Sequence, residues 1–193
     1  MSGVPARRLF FALWPDEEQR AALVGAAARI VRHCGGRPVS GENLHITLAF
    51  LGSVPEPRVP ELGAIARRAA ATFRGAVPIA VSLETLAHWS KAQVLTVLGR
   101  DDEAQAAASG APTLARTLSD ETAAAGFSPD LKPFRLHVTV ARKVPHPPRS
   151  CDMRKVEWSF DAFALIESRT LPEGPVYSVV ESYVLGSAEK VRT

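Results

Sequence analysis

The apolar residues of this chain recur with two different spacings, which divide it into predicted helices and predicted strands. Helical spacing follows the acidic segment after Pro15 and ends at Gly35-Gly36, where glycine is typical of a helix end. It returns over about 57–73, and again over an alanine-rich segment of about 102–125 in which Gly110-Ala111-Pro112 predicts a break. Three helices are therefore expected.

Strand-like segments lie between and after these helices. The first is the compact apolar run Leu9 to Trp14, and the others cover about 44–51, 77–86, 93–98, 135–141, 156–167 and 177–185. The resulting order, β-α-β-α-β-β-α-β-β-β, favours an α+β fold. We expect one bilobal domain over residues 1–193, in which two pseudo-symmetric, mainly antiparallel sheets flank a central cleft and helices pack outside.

The composition fits a globular protein, with 46% hydrophobic and 22% charged residues and no apolar run of membrane-spanning length. Cys34 and Cys151 form neither a closely spaced metal pair nor a disulfide framework, which favours the reducing cytoplasm. A net charge of +3 does not by itself indicate nucleic-acid binding. Seven basic residues and one acid lie between Lys132 and Lys155, however, and this imbalance favours either an anionic ligand or a solvated basic loop.

Two His-x-Thr triplets in matched surroundings carry the candidate chemistry. They read Leu44-His45-Ile46-Thr47-Leu48 and Leu136-His137-Val138-Thr139-Val140, about half the chain apart. Because alternate residues of a strand share a face, the His and Thr of each triplet are expected to point together, with aliphatic residues buried behind them. A single strand histidine is usually structural, but a pair in matching contexts indicates function.

If the two strands face each other, His45 and His137 lie on either side of an anion, with Thr47 and Thr139 nearby. Because the ordinary pKa of imidazole is about 6.5, one ring can activate water while the other donates a proton to the leaving oxygen. The threonine hydroxyls can stabilise charge on phosphate oxygens. Two histidines without a nearby acid or thiol make a poor zinc site, so no metal or other cofactor is expected.

The same motifs resemble a known family. Asn43 to Gly52, N-L-H-I-T-L-A-F-L-G, resembles the first signature of the RNA 2′,3′-cyclic phosphodiesterases, formerly called 2′-5′ RNA ligases, of the two-histidine phosphoesterase superfamily. Phe134 to Arg142 resembles the second signature, with Leu136 where proline is common. Arg8 to Leu13 and Tyr177 to Leu185 are similar to the first and last strands of that family.

The resemblance implies metal-independent hydrolysis of an RNA-terminal or nucleoside 2′,3′-cyclic phosphate to a 2′-phosphate, together with reverse 2′-5′ ligation. It implies that His45 donates the proton, that His137 is the base, and that Thr47 and Thr139 bind phosphate. The residues alone do not rank the two histidines, because the site is nearly symmetric. RNA ends are the expected partners of a cytoplasmic monomer that needs no membrane and no obligatory protein partner.

Three further residues are candidates for substrate contacts. Arg142 matches a phosphate-contacting arginine of the family, but it lies five residues after the second histidine. It therefore reaches the cleft only if the strand ends or bulges near Ala141, and is otherwise a surface arginine. Phe50 has the same offset from the first histidine and can stack a base, as can Phe11; core packing is the alternative for both.

Two rival functions remain open on the sequence. One is a related two-histidine phosphoesterase that acts on another cyclic nucleotide or on ADP-ribose cyclic phosphate. The other is a non-catalytic module that binds RNA ends, against which the presence of both histidines argues.

Overall fold

The computed structural model describes residues 5–99, 110–129, 133–148, 151–172 and 174–186. Two sheets account for the strands in these ranges. Sheet 1 contains Ala6–Leu13 (β1), Ile46–Pro55 (β3), Ala162–Leu171 (β8) and Gly174–Val184 (β9), in the order β3-β1-β8-β9. Sheet 2 contains Arg37–Pro38 (β2), Ile79–Trp89 (β4), Val94–Gly99 (β5), His137–Arg142 (β6) and Asp152–Phe160 (β7), in the order β2-β6-β5-β4-β7.

Every pairing between these strands is antiparallel, and the predicted α+β fold is confirmed. The helices within the described ranges are Glu17–His33 (α1), Val59–Thr72 (α2) and Ala111–Ala124 (α3). The predicted break near residue 110 is confirmed, because Gly110 has a φ of 73° and caps α3 with a proline in its first turn. The predicted helical segment before it, 102–109, lies outside the described residues. None of the described helices is long and apolar enough to cross a membrane.

The largest error in the predicted strands is the segment 156–167. It consists of two strands, β7 and β8, which are separated at Asp161 and belong to different sheets. A period-two pattern cannot reveal this change of sheet, because alternation shows which residues share a face and not which sheet a strand joins. The strand predicted over 77–86 also extends further than its sequence pattern indicates, since His88 and Trp89 both lie within β4.

The sheets do not correspond to the two halves of the sequence. Sheet 1 combines the first strands of the chain with its last two, and sheet 2 takes the middle strands together with the short β2. The helices also change sides: α1 follows β1 of sheet 1 yet packs against β6 and β7 of sheet 2. Likewise α3 follows sheet 2 but packs, next to α2, against β3 of sheet 1.

The start of α1 is anchored by its own cap and by sheet 2. Asp16 and Gln19 form a capping box, in which each side chain bonds the backbone N–H of the other residue. The Gln19 side chain donates to the Ser159 carbonyl, and the buried Trp158 indole N–H donates to the Gln19 carbonyl, both at 2.8 Å. These bonds join α1 to β7.

One cluster of buried side chains includes residues of both sheets and of all three helices. From sheet 1 it takes Leu9 and Phe11, which share one face of β1. The opposite face of sheet 1 carries a smaller cluster of Phe10, Ala12, Ala164 and Ile166. Sheet 1 is therefore apolar on both faces, with one face in the core and the other under the cleft.

Two glycines with opposite surroundings, one after α1 and one within it, yield a first testable prediction. A Cβ at Gly36 would lie 2.7 Å from the Arg142 carbonyl oxygen and 2.6 Å from Val144 Cγ2, so Gly36→Ala should destabilise the fold by about 1–3 kcal/mol. A Cβ at Gly25, on the exposed side of α1, meets nothing within 4 Å, so Gly25→Ala should stabilise by about 0.5–1 kcal/mol.

Urea unfolding of both variants measures these changes in the free energy of unfolding. Equal destabilisation by the two substitutions would contradict the close packing of Gly36 against the end of β6.

Candidate active site

A cavity of about 250 Å³ lies between the two sheets. Its walls include all four residues of the paired motifs, together with Arg142 and Phe50. His45, immediately before β3, and Thr47 come from sheet 1, whereas His137 and Thr139 come from β6 of sheet 2. The structure therefore brings the two triplets to one cavity. The remaining lining residues are Arg8, Phe10, Val39, Asn43, Ser168 and Tyr177.

A bulge in β6 explains how Arg142 reaches this cavity. Leu95 of β5 pairs with Ala141, but the next residue, Thr96, pairs with Thr139. Val140 is thus an extra residue in β6, and it shifts the alternation of the strand by one position. The condition that the sequence imposed on Arg142 is met, and its side chain lines the cavity with His137 and Thr139.

The other motif strand, β3, also contains a bulge. Phe11 of β1 pairs with Ala49 and Ala12 pairs with Thr47, which leaves Leu48 as the extra residue of β3. The bulge carries Phe50 to the cavity face that His45 and Thr47 already occupy. Each His-x-Thr triplet is therefore followed by a bulge, and the residue five positions after each histidine lines the cavity.

Backbone hydrogen bonds fix the tautomer of both histidines. His45 Nδ1 lies 2.7 Å from the Asn43 carbonyl oxygen, and His137 Nδ1 lies 2.7 Å from the Arg135 carbonyl oxygen. A carbonyl can only accept, so each Nδ1 carries a proton and donates it. In the neutral rings Nε2 is then the unprotonated nitrogen, available as a base.

Burial favours the neutral form of both rings. Desolvation lowers the pKa of His45 to about 4, and the positive charges of Arg142 and Arg20, like any proton on His137, act in the same direction. Desolvation also lowers the pKa of His137. The hydrogen bonds to the backbone carbonyls oppose these effects but do not overcome them.

The two Nε2 atoms have different neighbours. His45 Nε2 lies 3.1 Å from Thr47 Oγ1, so in the neutral ring it accepts a hydrogen bond from the hydroxyl. Within the described part of the chain, no hydrogen bond reaches His137 Nε2. The lone pair of His137 is therefore the freer one.

Each imidazole is packed against a tryptophan. Trp14 stacks on His45 with ring centroids 5.8 Å apart and planes 23° apart. Trp89 lies 4.6 Å from His137 with planes at 50°. An arginine covers each indole in turn, Arg20 at 4.9 Å over Trp14 and Arg135 at 5.7 Å over Trp89. These contacts restrict rotation of the histidine rings.

The prediction that Phe11 stacks on a base is wrong. Its side chain is fully buried and packs edge-on against Phe163 in the core, with centroids 5.9 Å apart. A nucleotide has no access to it. The neighbouring Phe10 faces the cavity instead and lies 4.9 Å from the His45 ring.

Sequence reasoning missed several other cavity residues. Tyr177 contacts the His45 ring edge-on at 5.1 Å, and its hydroxyl lies 3.5 Å from Arg142 Nη2. The Asn43 side chain donates to the Pro175 carbonyl at 2.9 Å and so ties the His45 segment to β9. Alternation along β1 was a usable signal for Arg8 and Phe10. No local signal placed Tyr177, because β9 reaches the cavity only through its pairing with β8.

The cavity has a positive character. Its lining contains Arg8 and Arg142, and none of its residues in the described chain is Asp or Glu. Of the basic residues between Lys132 and Lys155 that the structure describes, Arg142 is the one in that lining. Among the residues that the structure describes, no three His, Cys, Asp or Glu side chains converge as a metal site.

Comparisons with known proteins agree with this arrangement. The chain matches the family described as LigT like phosphoesterase over residues 13–94 and 103–177. It is 35% identical over 182 residues to a Thermus thermophilus protein named RNA 2′,3′-cyclic phosphodiesterase, covering 92% of this chain and 90% of the relative.

Solved structures show the same fold. The crystal structure of TT0787 from Thermus thermophilus matches with a TM-score of 0.71 and 32% identity, over 94% of this chain and 99% of that one. Escherichia coli LigT, crystallised with 3′-AMP, matches with a TM-score of 0.78 and 24% identity, over 95% of this chain and 100% of that one.

The low pKa of His45 predicts a pH dependence of stability. With a pKa of about 4 in the folded state and about 6.5 in the unfolded state, the unfolded chain binds more protons between these values. The contribution of the neutral His45 ring to the free energy of unfolding is complete above the unfolded-state pKa. It is lost as the pH falls towards the folded-state pKa. Between about pH 7.5 and 5, wild type should lose about 2 kcal/mol more than a His45→Gln variant.

Urea unfolding at both pH values measures the difference. His33→Gln is the matched control, because it removes an exposed histidine on the last turn of α1, outside the cavity lining. If wild type and His45→Gln lose stability in parallel, the imidazole is not held neutral by burial.

Proposed function

The chain belongs to the LigT like phosphoesterase family, and on that premise we propose that it hydrolyses 2′,3′-cyclic phosphates of RNA ends or nucleosides to 2′-phosphates. The observation that carries this proposal is the convergence of two histidines and two threonines on one cavity. The name of the Thermus thermophilus relative supports the substrate class.

His137 is the base in the proposed mechanism. Its Nδ1 donates a hydrogen bond to the Arg135 carbonyl, which leaves Nε2 unprotonated in the neutral ring. The ring lines the cavity, and burial lowers its pKa. A neutral imidazole with a free lone pair can remove a proton from water as the water attacks phosphorus. General base catalysis of this kind accelerates the reaction by about 10²–10⁴-fold.

His45 is the proton donor to the departing 3′-oxygen. In the free protein its pKa is about 4, so it must gain its proton when the anionic substrate binds. Unit charges about 4 Å apart interact by about 4 kcal/mol at an effective dielectric constant near 20, which raises the pKa of the ring in the complex. Cleavage of the bond between phosphorus and the 3′-oxygen then leaves the phosphate on the 2′-oxygen.

Thr47, Thr139 and Arg142 are the proposed phosphate ligands. When the phosphate enters, the Thr47 hydroxyl can turn from His45 Nε2 to a phosphate oxygen, which frees that nitrogen to hold a proton. Thr139 lines the opposite wall, and Arg142 supplies a positive charge. Hydrogen bonds aimed at oxygens that gain charge lower the barrier without a metal ion, and we propose no cofactor.

Phe50 is the proposed contact for the base. Its ring lines the cavity and is half-buried, and the Arg8 guanidinium lies over it at 4.9 Å from the ring centroid. A base can pack on the part of the ring that Arg8 leaves open. By microscopic reversibility, the same two histidines would also catalyse joining of 2′-phosphate and 5′-hydroxyl ends.

The proposal extends to the state of the whole chain. The buried cluster shared by both sheets supports one bilobal domain over residues 1–193. We also propose a monomer without an obligatory protein partner, since a single chain brings both histidines and both threonines to one cavity. The free thiols of Cys34 and Cys151 support a cytoplasmic location.

Removal of either histidine should abolish most turnover without unfolding the chain. We expect kcat/KM for a 2′,3′-cyclic phosphate to fall by about 10²–10⁴-fold in His45→Ala and in His137→Ala, since each loses one proton-transfer group. Thr47→Ala and Thr139→Ala should each cost less, on the order of 10-fold to 10²-fold, through lost hydrogen bonds to the phosphate. His33→Ala, which removes an exposed histidine far along α1, should retain wild-type rates.

The product identifies the reaction. Phosphorus NMR of a defined oligonucleotide 2′,3′-cyclic phosphate, before and after incubation, should show conversion to a 2′-phosphate, with an unchanged rate in excess chelator. A rate that falls with chelator and recovers with metal contradicts the metal-independent mechanism. Turnover of ADP-ribose cyclic phosphate in preference to nucleoside substrates would favour the related phosphoesterase activity. Binding without any ring opening would favour the non-catalytic RNA-end module.

A further inference from the structure

Arg8 is a second arginine of the active-site cavity, and the proposed reaction at the cyclic phosphate does not use it. It lies on β1, two residues before Phe10, and lines the cavity next to Phe50. Within the described chain it makes no ion pair with a carboxylate, and its one ring contact is the cation–π contact with Phe50 at 4.9 Å.

The strand alternation separates Arg8 from its charged neighbour. Arg7 points to the other face of β1, where its Nη2 lies 2.7 Å from a carboxylate oxygen of Glu167 on β8. Leu9 is fully buried on that same face. Arg8 therefore belongs to the cavity face, with Phe10 and unlike Arg7.

Ser168 places a hydroxyl on the same cavity wall as Arg8. Leu9 pairs with Glu167 in the antiparallel register of β1 and β8, which brings Ser168, the next residue of β8, beside Arg8. Both residues line the cavity. A guanidinium with a neighbouring hydroxyl is a donor set suited to phosphate oxygens.

Charge balance separates this end of the cavity from the reacting end. A cyclic phosphodiester carries one negative charge, and Arg142 is already one of the cations that act on His45. Arg8 is then a surplus cation in a cavity whose described lining has no acid. A ligand with a second anionic group balances it.

The distance between the two ends suits one nucleotide. The Arg8 guanidinium lies over Phe50, which pairs with Phe10 of β1, one same-face step along that strand from Ala12, the partner of Thr47. At the usual strand rise this step is about 7 Å between Cα atoms. This step is on the scale of a single sugar-phosphate repeat. The next phosphate of an RNA chain is the 5′-phosphate of the terminal nucleotide.

We propose that Arg8, with Ser168 beside it, binds the 5′-phosphate of the nucleotide that carries the 2′,3′-cyclic phosphate. The packing of its guanidinium on Phe50 holds it ready for that contact. The site then distinguishes an oligonucleotide end from a free cyclic mononucleoside. This inference rests on the proposed function, since it assumes that the cyclic phosphate lies between the two histidines.

Three substrates isolate the contribution of the 5′-phosphate. They are adenosine 2′,3′-cyclic phosphate, the same compound with a 5′-phosphate, and the dinucleotide ApA with a terminal 2′,3′-cyclic phosphate. Wild type should have a kcat/KM about tenfold higher for the second and third than for the first, the effect expected of one charge-assisted contact.

Arg8→Gln should remove this preference, so that the three substrates have equal kcat/KM, whereas Arg8→Lys should keep part of it. The matched control is Arg169→Gln. Arg169 is exposed on β8 next to Ser168 but outside the cavity lining, so its loss tests the effect of nearby charge alone and should preserve the preference.

Each other result overturns the inference. If wild type shows no preference, no subsite for the 5′-phosphate exists. If Arg8→Gln lowers the rate on all three substrates equally, Arg8 serves the reacting phosphate or the fold. If only the dinucleotide is preferred, the site recognises the upstream nucleoside instead of the phosphate.

A binding measurement separates failure of this inference from failure of the proposed function. If none of the three compounds is hydrolysed, the proposed function is wrong, and titration calorimetry with 2′-AMP and adenosine 2′,5′-bisphosphate still tests Arg8. Wild type should bind the bisphosphate about tenfold more tightly, and Arg8→Gln should bind both equally. Equal binding of the two compounds by wild type would contradict the subsite.

Discussion

The hydrogen bond between each histidine Nδ1 and the backbone carbonyl two residues earlier is the constraint on which the site depends. It fixes the proton of each neutral ring on Nδ1, which donates to the Asn43 carbonyl in His45 and to the Arg135 carbonyl in His137. The Nε2 of each ring is then the nitrogen that can accept or donate a proton in the cavity. The Asn43 carbonyl belongs to the short 3-10 turn Gly41–Asn43 that precedes β3, and the Arg135 carbonyl belongs to the segment that leads into β6. The proposed catalytic geometry therefore depends on the backbone immediately before each motif strand.

The repeated bulge completes what the strand alternation begins. Alternation places His and Thr on one face, but it would direct the residue five positions after each histidine away from the cavity. Extra residues at Leu48 and Val140 reverse the alternation, and they bring in Phe50 on one wall and Arg142 on the other. The two walls then differ in chemistry, because one offers an aromatic ring and the other a cation.

Burial and charge couple protonation to binding. The site holds arginines and histidines without a carboxylate among its described lining residues, and desolvation lowers the pKa of both imidazoles. This environment favours the neutral form of both rings, which suits a base but not an acid. In the proposed mechanism, an anionic substrate reverses the balance at the ring it approaches, so the acid forms in the complex and the base is ready beforehand.

The sequence by itself determined the class of fold, most of the elements, and the pairing of His45 with His137 and of Thr47 with Thr139, because these follow from local periodicity and from two matched motifs. It could not determine which sheet each strand joins: the segment 156–167 divides between the sheets, and α1 packs across from the strand that precedes it. Nor could it settle the surroundings of single side chains, such as the burial of Phe11 or the approach of Tyr177. Those depend on register, bulges and contacts between residues far apart in the chain, and such contacts form only when the whole core is packed.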